Sequence, residues 1–481
     1  MSRSLVARIY DLAWPVLIAQ LAVMAYAVVD TIMAGRYATD DLAAVGIGAS
    51  VYFSVFVGLM GVLLAMTPIV AQLKGAGRHE EIGEQVRQAM WLVLALAALS
   101  IVIFRYPDPL LRLSQPPAAV ERKVRAYLAI AAYGAPAGLA FRLFASYTTA
   151  VSLPRVMMVL NLLGLALKVP LNWMLVFGHW GAPEMGAAGC ALATAIVSWL
   201  ICALAWLHVA TWRAYREHRV FARWSWPRAR DLYHLLALGL PIGGTFLVDV
   251  TSFTFMALFI ARLGAATSAA HQIAANVAAV MYMVPLATAS AVGILVGQAI
   301  GARNFAQARA TGLTGLALGL GIAATSACLL VLGAHRIAAF YSDDPDVRFL
   351  AAGLLLLVAG YHMFDAVQSV TVNALRGYKR AVVPLLVNAA GMWVVGLAGG
   401  VAIGLTHVAA LEAIGVGTPL GVRGFWIAAM IGMAVATVGI VIYFLAISSP
   451  RRPRHDASMV PARLRRWRRR FVSMTKTERR A

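Results

Sequence analysis

The stretch WIAAMIGMAVATVGIVIYFLAI, Trp426–Ile447, runs for 22 residues without one charged side chain. At 1.5 Å rise per residue such a helix is about 33 Å long, and the hydrocarbon core of a bilayer is roughly 30 Å thick. Gln88–Phe104 and Met185–Thr211 read the same way. Twelve such blocks can be counted, near residues 12–33, 46–72, 88–105, 125–148, 154–178, 185–211, 234–261, 268–298, 311–333, 347–375, 382–405 and 421–447. Composition agrees: 61% of the 481 residues are apolar and 13% are charged, too few charges for the surface of a soluble domain. The expected fold is an all-α polytopic membrane protein with twelve transmembrane helices.

The net charge of +21 could suggest nucleic acid, but its placement argues against that partner. Most Lys and Arg residues flank apolar blocks. With the N-terminus inside, 29 of the 41 fall on the cytoplasmic side and ten on the outer side. This bias predicts two cytoplasmic termini in a multi-pass protein of the cytoplasmic (inner) membrane. The outer loop around Arg122, Lys123 and Arg125 is basic on the wrong side. The first block carries Asp30 and reads as a spanning helix, so no cleavable signal peptide is expected. Cys190, Cys202 and Cys328 all lie inside apolar blocks without a CxxC spacing, which disfavours disulfides and a cysteine metal site.

The chain repeats itself. A shift of 226 residues lays Pro15 on Pro241, Arg36 on Arg262, Gln72 on Gln298 and Gly75-Ala76 on Gly301-Ala302. At 227, Asn161-x-x-Gly164 meets Asn388-x-x-Gly391. Six helices per half is an even number, so the halves share one orientation. A pseudo-two-fold along the membrane normal follows, with a substrate path between the halves. The expected organisation is an N-terminal lobe over 1–211, a basic cytoplasmic linker over 212–231, a C-terminal lobe over 232–447 and a basic tail over 448–481.

Three segments resemble the multidrug and toxic compound extrusion family, its NorM branch in particular. Leu12–Arg78 carries VVDTIMAGR, DLAAV and AMTPIVAQLKGAGR. Leu238–Asn304 carries LGLP, AAHQIAAN and VGQAIGARN. Phe364–Pro384 reads FDAVQSVTVNALRGYKRAVVP. The resemblance implies two six-helix lobes in a V. It also implies export of cationic, amphiphilic compounds in exchange for protons or sodium, with no other cofactor.

Of 20 acidic residues, only Asp30, Asp249 and Asp365 lie well inside apolar blocks. A charged side chain there costs roughly 2.5–3.5 kcal/mol on insertion scales, and uptake of a proton or a cation removes the cost. Tyr361, His362 and Gln368 share a helical face with Asp365 by their spacing. By resemblance, Asp365 and Tyr361 help form a cation site in the C-terminal lobe, and Tyr361 could offer its ring face or hydroxyl. Asp249, flanked by Thr245 and Ser252, stands where the family often has Glu. The shorter side chain puts joint sodium binding by Asp249 and Asp365 in doubt and favours the proton.

In the N-terminal lobe the family pattern carries two Asn where this chain has Lys168 and Asn172, and by resemblance that pair meets Asp30. Residues four apart share a helix face, so Lys168 is expected either to pair with Asp30 in place of a cation or to snorkel to an interface. Pro15 is expected near its helix start, as a plain cap or as a bend answering to Asp30. Gln272, Asn276, Gln368 and Asn373 are candidates to line a substrate cavity. His271 is expected at the outer interface. Arg142, alone inside its helix, is expected to snorkel or to form an interlobe ion pair rather than to bind substrate.

In the tail, Val460, Leu464, Trp467 and Phe471 recur at helical spacing among six arginines. This is a basic amphipathic helix suited to anionic lipid. No Walker A, GxSxG or HExxH motif appears, so neither ATP-driven pumping nor an enzyme is expected. The leading expectation is a cation-coupled exporter of organic cations and drug-like molecules; the alternative is a lipid or lipid-linked oligosaccharide flippase.

Overall fold

In the computed structural model the described residues are 4–109, 111, 117–222, 224–412, 417 and 419–449. The tail motif from Val460 to Phe471 lies outside them. Among the described residues twelve helices are long and apolar enough to span a bilayer. They are α1 (Leu5–Tyr37), α2 (Thr39–Gly75), α3 (His79–Arg105), α4 (Ala118–Ala150), α5 (Pro154–Phe177), α6 (Ala187–Thr211), α7 (Ala229–Ala261), α8 (Ala265–Gly301), α9 (Phe305–Tyr341), α10 (Pro345–Gly377), α11 (Val382–Leu405) and α12 (Val422–Ser448). The chain is a multi-pass, all-α membrane protein.

The helices overrun their apolar blocks at several ends because polar flanks continue the backbone ladder. Ser4 caps α1 by accepting the Ala7 N–H at 3.2 Å. Pro15 therefore lies ten residues inside α1, and the expectation of a helix start there is corrected. Pro241 is likewise internal to α7. Each proline removes one ladder donor within a span.

Two six-helix lobes, α1–α6 and α7–α12, form a V. One buried core at the face carrying the N-terminus draws on both lobes, with Leu12, Leu63, Val70, Leu143, Ile242, Val292 and Leu375 among its members. At the opposite face the core divides. Ala34, Phe104, Val124 and Cys190 belong to a cluster wholly in the first lobe. Ile260, Leu355, Tyr361 and Trp426 belong to one wholly in the second. The lobes meet where α2 crosses α7 and where α1 crosses α8. These crossings are pseudo-symmetric partners. At the first, a Cβ on Gly61 would lie 2.5 Å from the Gly243 Cα, so glycine is what permits the approach.

The repeat is also visible in hydrogen bonds. Gln72 donates across the junction to the Gly377 carbonyl at 2.8 Å. Gln298 donates back to the Ala150 carbonyl at 2.9 Å and to the Ser152 hydroxyl at 2.8 Å. Ser152 and Lys379, 227 residues apart, both adopt positive φ in the turns that these glutamines grip.

The segment 212–231 is a strap over the N-terminal face of the first lobe. Arg87 donates to the carbonyls of Arg219 at 2.7 Å and Val220 at 3.0 Å. Gln88 donates to the Trp226 carbonyl at 2.9 Å, and Trp91 to that of Ser225 at 3.0 Å. His218 is buried, with its Nδ1 2.5 Å from the Tyr147 hydroxyl. At the other face two members of the out-of-place basic cluster are neutralised locally. Lys123 meets Asp41 at 2.5 Å, and Arg125 meets Asp108 and Glu121 at 2.7 Å each.

Candidate functional site

Asp30 on α1 is buried against α5 and α6. Its Oδ1 lies 2.9 Å from Lys168 Nζ and accepts from Asn172 Nδ2 at 2.7 Å. Lys168 and Asn172 are both 0% exposed. The ammonium does not snorkel: it also donates to the Thr194 hydroxyl and lies 5.7 Å from the Tyr26 ring centroid. Tyr26 in turn donates to the Asn161 carbonyl at 3.0 Å. A lysine ammonium has three donors and no acceptor. Here it has a carboxylate, a hydroxyl and an aromatic face, which is the surrounding a bare cation would need.

The second lobe is built differently. Asp249 on α7 accepts from Asn388 Nδ2 on α11 at 2.8 Å, and Asn388 Oδ1 accepts from Gln368 Nε2 on α10 at 2.6 Å. A chain of polar groups therefore links α7, α11 and α10. Asp365 lies within electrostatic range of Asp249. Among the described residues its carboxylate makes no hydrogen bond or ion pair. The two carboxylates thus lie within electrostatic range of each other, one held by an amide and the other without a hydrogen-bond partner among the described residues.

Tyr361 is buried, with its ring edge-on to Phe253 at 6.0 Å and to Trp426 at 6.1 Å. It is a packed aromatic that also stands within electrostatic range of Asp365. His362 is buried with Nε2 unpartnered. His271 is buried beside Trp426, ring centroids 5.8 Å apart, so the expected interfacial position is corrected; Trp426 supplies the packing surface that covers it.

The cavity candidates separate. Gln368 joins the Asp249 network through Asn388. Asn373 donates to the Ser369 carbonyl at 2.9 Å and lies 3.4 Å from Arg376 Nη1. Gln272 and Asn276 lie on an exposed face of α8, and Asn276 accepts from the Tyr341 hydroxyl of α9 at 2.7 Å. Asn388, Tyr26 and Thr194 were not singled out as site residues by the sequence. Asn388 had a signal, a polar residue repeated at 161 within an apolar helix. Tyr26 and Thr194 had none beyond their presence in a span.

The core is shared between the lobes at one face and divided at the other, and the intramembrane carboxylates lie inside the lobes: this is a two-lobed membrane bundle. A family model described as MatE matches residues 15–174 and 241–402, and the chain belongs to that family. It is 44% identical over 437 residues to the "Probable multidrug resistance protein NorM" of Aromatoleum aromaticum, covering 91% of this chain and 93% of that one. It is 36% identical to the "Multidrug resistance protein NorM" of Vibrio cholerae, covering 89% and 92%. The fold matches the crystal structure of the Vibrio cholerae MATE transporter VcmN in the bent form, with TM-score 0.79 at 18% identity over 92% of this chain and 97% of that one.

Proposed function

We propose that the protein exports amphiphilic organic cations and drug-like molecules from the cytoplasm, driven by inward movement of protons. The names of its NorM relatives support multidrug efflux. The basic-residue bias supports a cytoplasmic N-terminal face. On that reading the face where the core divides is the outer one.

The observation that carries the choice of proton is the contrast between the lobes. Lys168 fills the cation position beside Asp30. In the second lobe, Asn388 turns its amide nitrogen, not its oxygen, to Asp249, and its oxygen is taken by Gln368. A sodium ion wants several converging oxygens. The amide that meets Asp249 presents a nitrogen instead of an oxygen, and a proton needs only one carboxylate oxygen. Protonation of Asp365 would remove a charge from the second lobe and weaken its hold on an organic cation, so proton and organic cation would compete and proton entry would favour cation release. The shift between open states can be no larger than the difference in proton affinity between them.

The test is Asp365→Asn in proteoliposomes. Proton-driven efflux of an ethidium-like dye should fall to the background of empty vesicles. Efflux at the wild-type rate would remove Asp365 from the coupling.

A further inference from the structure

The strap between the lobes has two unlike sides. Its inner side is docked: Tyr215, His218 and Val220 are buried, and its backbone accepts the bonds from Arg87, Gln88 and Trp91. Its outer side carries Trp224 and Trp226, 73% and 74% exposed. Both rings gather on the half-buried Trp91 of α3. Trp224 meets it edge-on at 5.4 Å and Trp226 stacks on it at 6.2 Å, with 6.5 Å between the two strap rings. Arg228 and Arg230 follow after Pro227, and both are exposed. Arg228 reaches Glu84 at 3.6 Å, a carboxylate already held by Arg87 at 2.7 Å. Among the described residues the Arg230 side chain makes no hydrogen bond or ion pair.

The depth of this cluster follows from α3. A span needs about 20 residues to cross the hydrocarbon, and counting back from Arg105 at the far end of α3 reaches about residue 86. Trp91 stands just inside that limit, so the rings gathered on it lie at the boundary between hydrocarbon and headgroups. Two tryptophans this exposed would be an unfavourable apolar patch in water. At the boundary the amphipathic indole is at its preferred depth. The strap beside them is basic, with six arginines from Trp212 to Asp231 against Glu217 and Asp231. A guanidinium is a planar fork matched to phosphate, and the cytoplasmic leaflet is the anionic one. We propose that Trp91, Trp224 and Trp226, with Arg228 and Arg230, form a binding site for an anionic phospholipid. The indoles meet its glycerol and upper acyl region, and the arginines meet its phosphate. A phosphatidylcholine satisfies the indoles equally, but its phosphate already has the choline for a counter-charge. Because the strap is the link from α6 to α7, a lipid seated here holds that link against α3. The cytoplasmic placement rests on the export reading above; the lipid contact itself does not require transport.

The test sets a reporter beside the site. Ala222 is exposed on the strap, and Ala222→Cys carries a bimane in a Cys328→Ser background, Cys328 being an exposed native thiol. The full-length protein is placed in phosphatidylcholine nanodiscs doped with phosphatidylglycerol or phosphatidylcholine that bears a nitroxide near the top of one acyl chain. Quenching should show the anionic lipid favoured about fivefold, the worth of one basic residue at a membrane surface, since Arg228 is shared with Glu84. Arg228→Gln and Arg230→Gln together should bring the ratio close to one while phosphatidylcholine still quenches. Lysine at both positions should keep the preference. Trp224→Ala and Trp226→Ala together should lower quenching by both lipids. Absence of quenching by either lipid would set the strap away from the bilayer and overturn the proposal. Equal quenching by the two lipids in wild type would also overturn it, as would a preference that the glutamine variant retains. Loss of the preference in millimolar inorganic phosphate would make this a site for a soluble anion and overturn the lipid assignment. Gel filtration identifies a variant that has not folded; Arg230→Gln alone, which removes no ion pair, then carries the comparison and should lower the ratio by itself. Failure of the export reading would show instead as absence of gradient-driven flux with the lipid preference intact.

Discussion

Lys168 Nζ and Asp30 Oδ1 are held 2.9 Å apart in the first lobe, and the ammonium's remaining contacts are Thr194 and the Tyr26 ring. On the proposed reading a lysine tethered in this way stands in for a cation that never leaves. Lys168→Asn should open the position to a mobile ion, and dye efflux should then gain a dependence on external sodium that wild type lacks. Sodium-independent efflux in a folded variant would mean that the pair is structural only. Lys168→Met leaves Asp30 buried without its ion partner and should lower stability by about 3–5 kcal/mol, read from thermal melts in detergent.

The junction glutamines make a second prediction. Gln72 and Gln298 reach across the closed face to equivalent turns. The two side chains make three junction bonds, each worth about 1 kcal/mol, so removing both should shift the lobe equilibrium by roughly a hundredfold. Spin labels at the opposite-face ends of α3 and α9 should show a new, shorter distance in the Gln72→Ala, Gln298→Ala double variant. An unchanged distance distribution would show that the glutamines do not hold this state.

The α2–α7 crossing is a test of packing. Gly61→Leu places a side chain where the Gly243 backbone already is, and should cost about 1–3 kcal/mol or prise the lobes apart. Gly46→Leu on the same helix is the control, since a Cβ there meets nothing within 4 Å. Equal melting temperatures for the two would contradict the close approach.

The strap should respond to acid. Burial, with His79 and Lys74 nearby, pulls the His218 imidazole down from its ordinary 6.5 to about 4. The docked strap holds this ring neutral, while the released strap binds a proton below 6.5. Docking is therefore fully stable above pH 6.5 and weakens progressively as pH falls toward 4. Amide hydrogen exchange over 213–222 should accelerate across that window once intrinsic rates are divided out, and His218→Phe should flatten the response. Equal acceleration in both proteins would exclude His218 as the cause.

The spans were legible because hydrocarbon thickness sets a length and composition sets the solvent. The repeat was legible because Pro15, Arg36 and Gln72 recur at one spacing, and the structure adds that Gln72 and Gln298 are equivalent in their bonds as well. Lys168 was legible because a charge in a span is rare. What escaped was contact between residues far apart in sequence. The repeat marks Asn388 as the counterpart of Asn161 but does not say that it bridges Asp249 and Gln368. The strap read as a plain linker because four of its bonds, from Arg87, Gln88 and Trp91, are accepted by backbone carbonyls, which carry no residue signature.

The central claim is that protons are exchanged through the second lobe while Lys168 closes the first to sodium. The most direct measurement is dye efflux from proteoliposomes under separately imposed proton and sodium gradients. A proton gradient alone should drive efflux, and a sodium gradient alone should leave it at the level of empty vesicles. Efflux driven by sodium with no proton gradient would contradict the account.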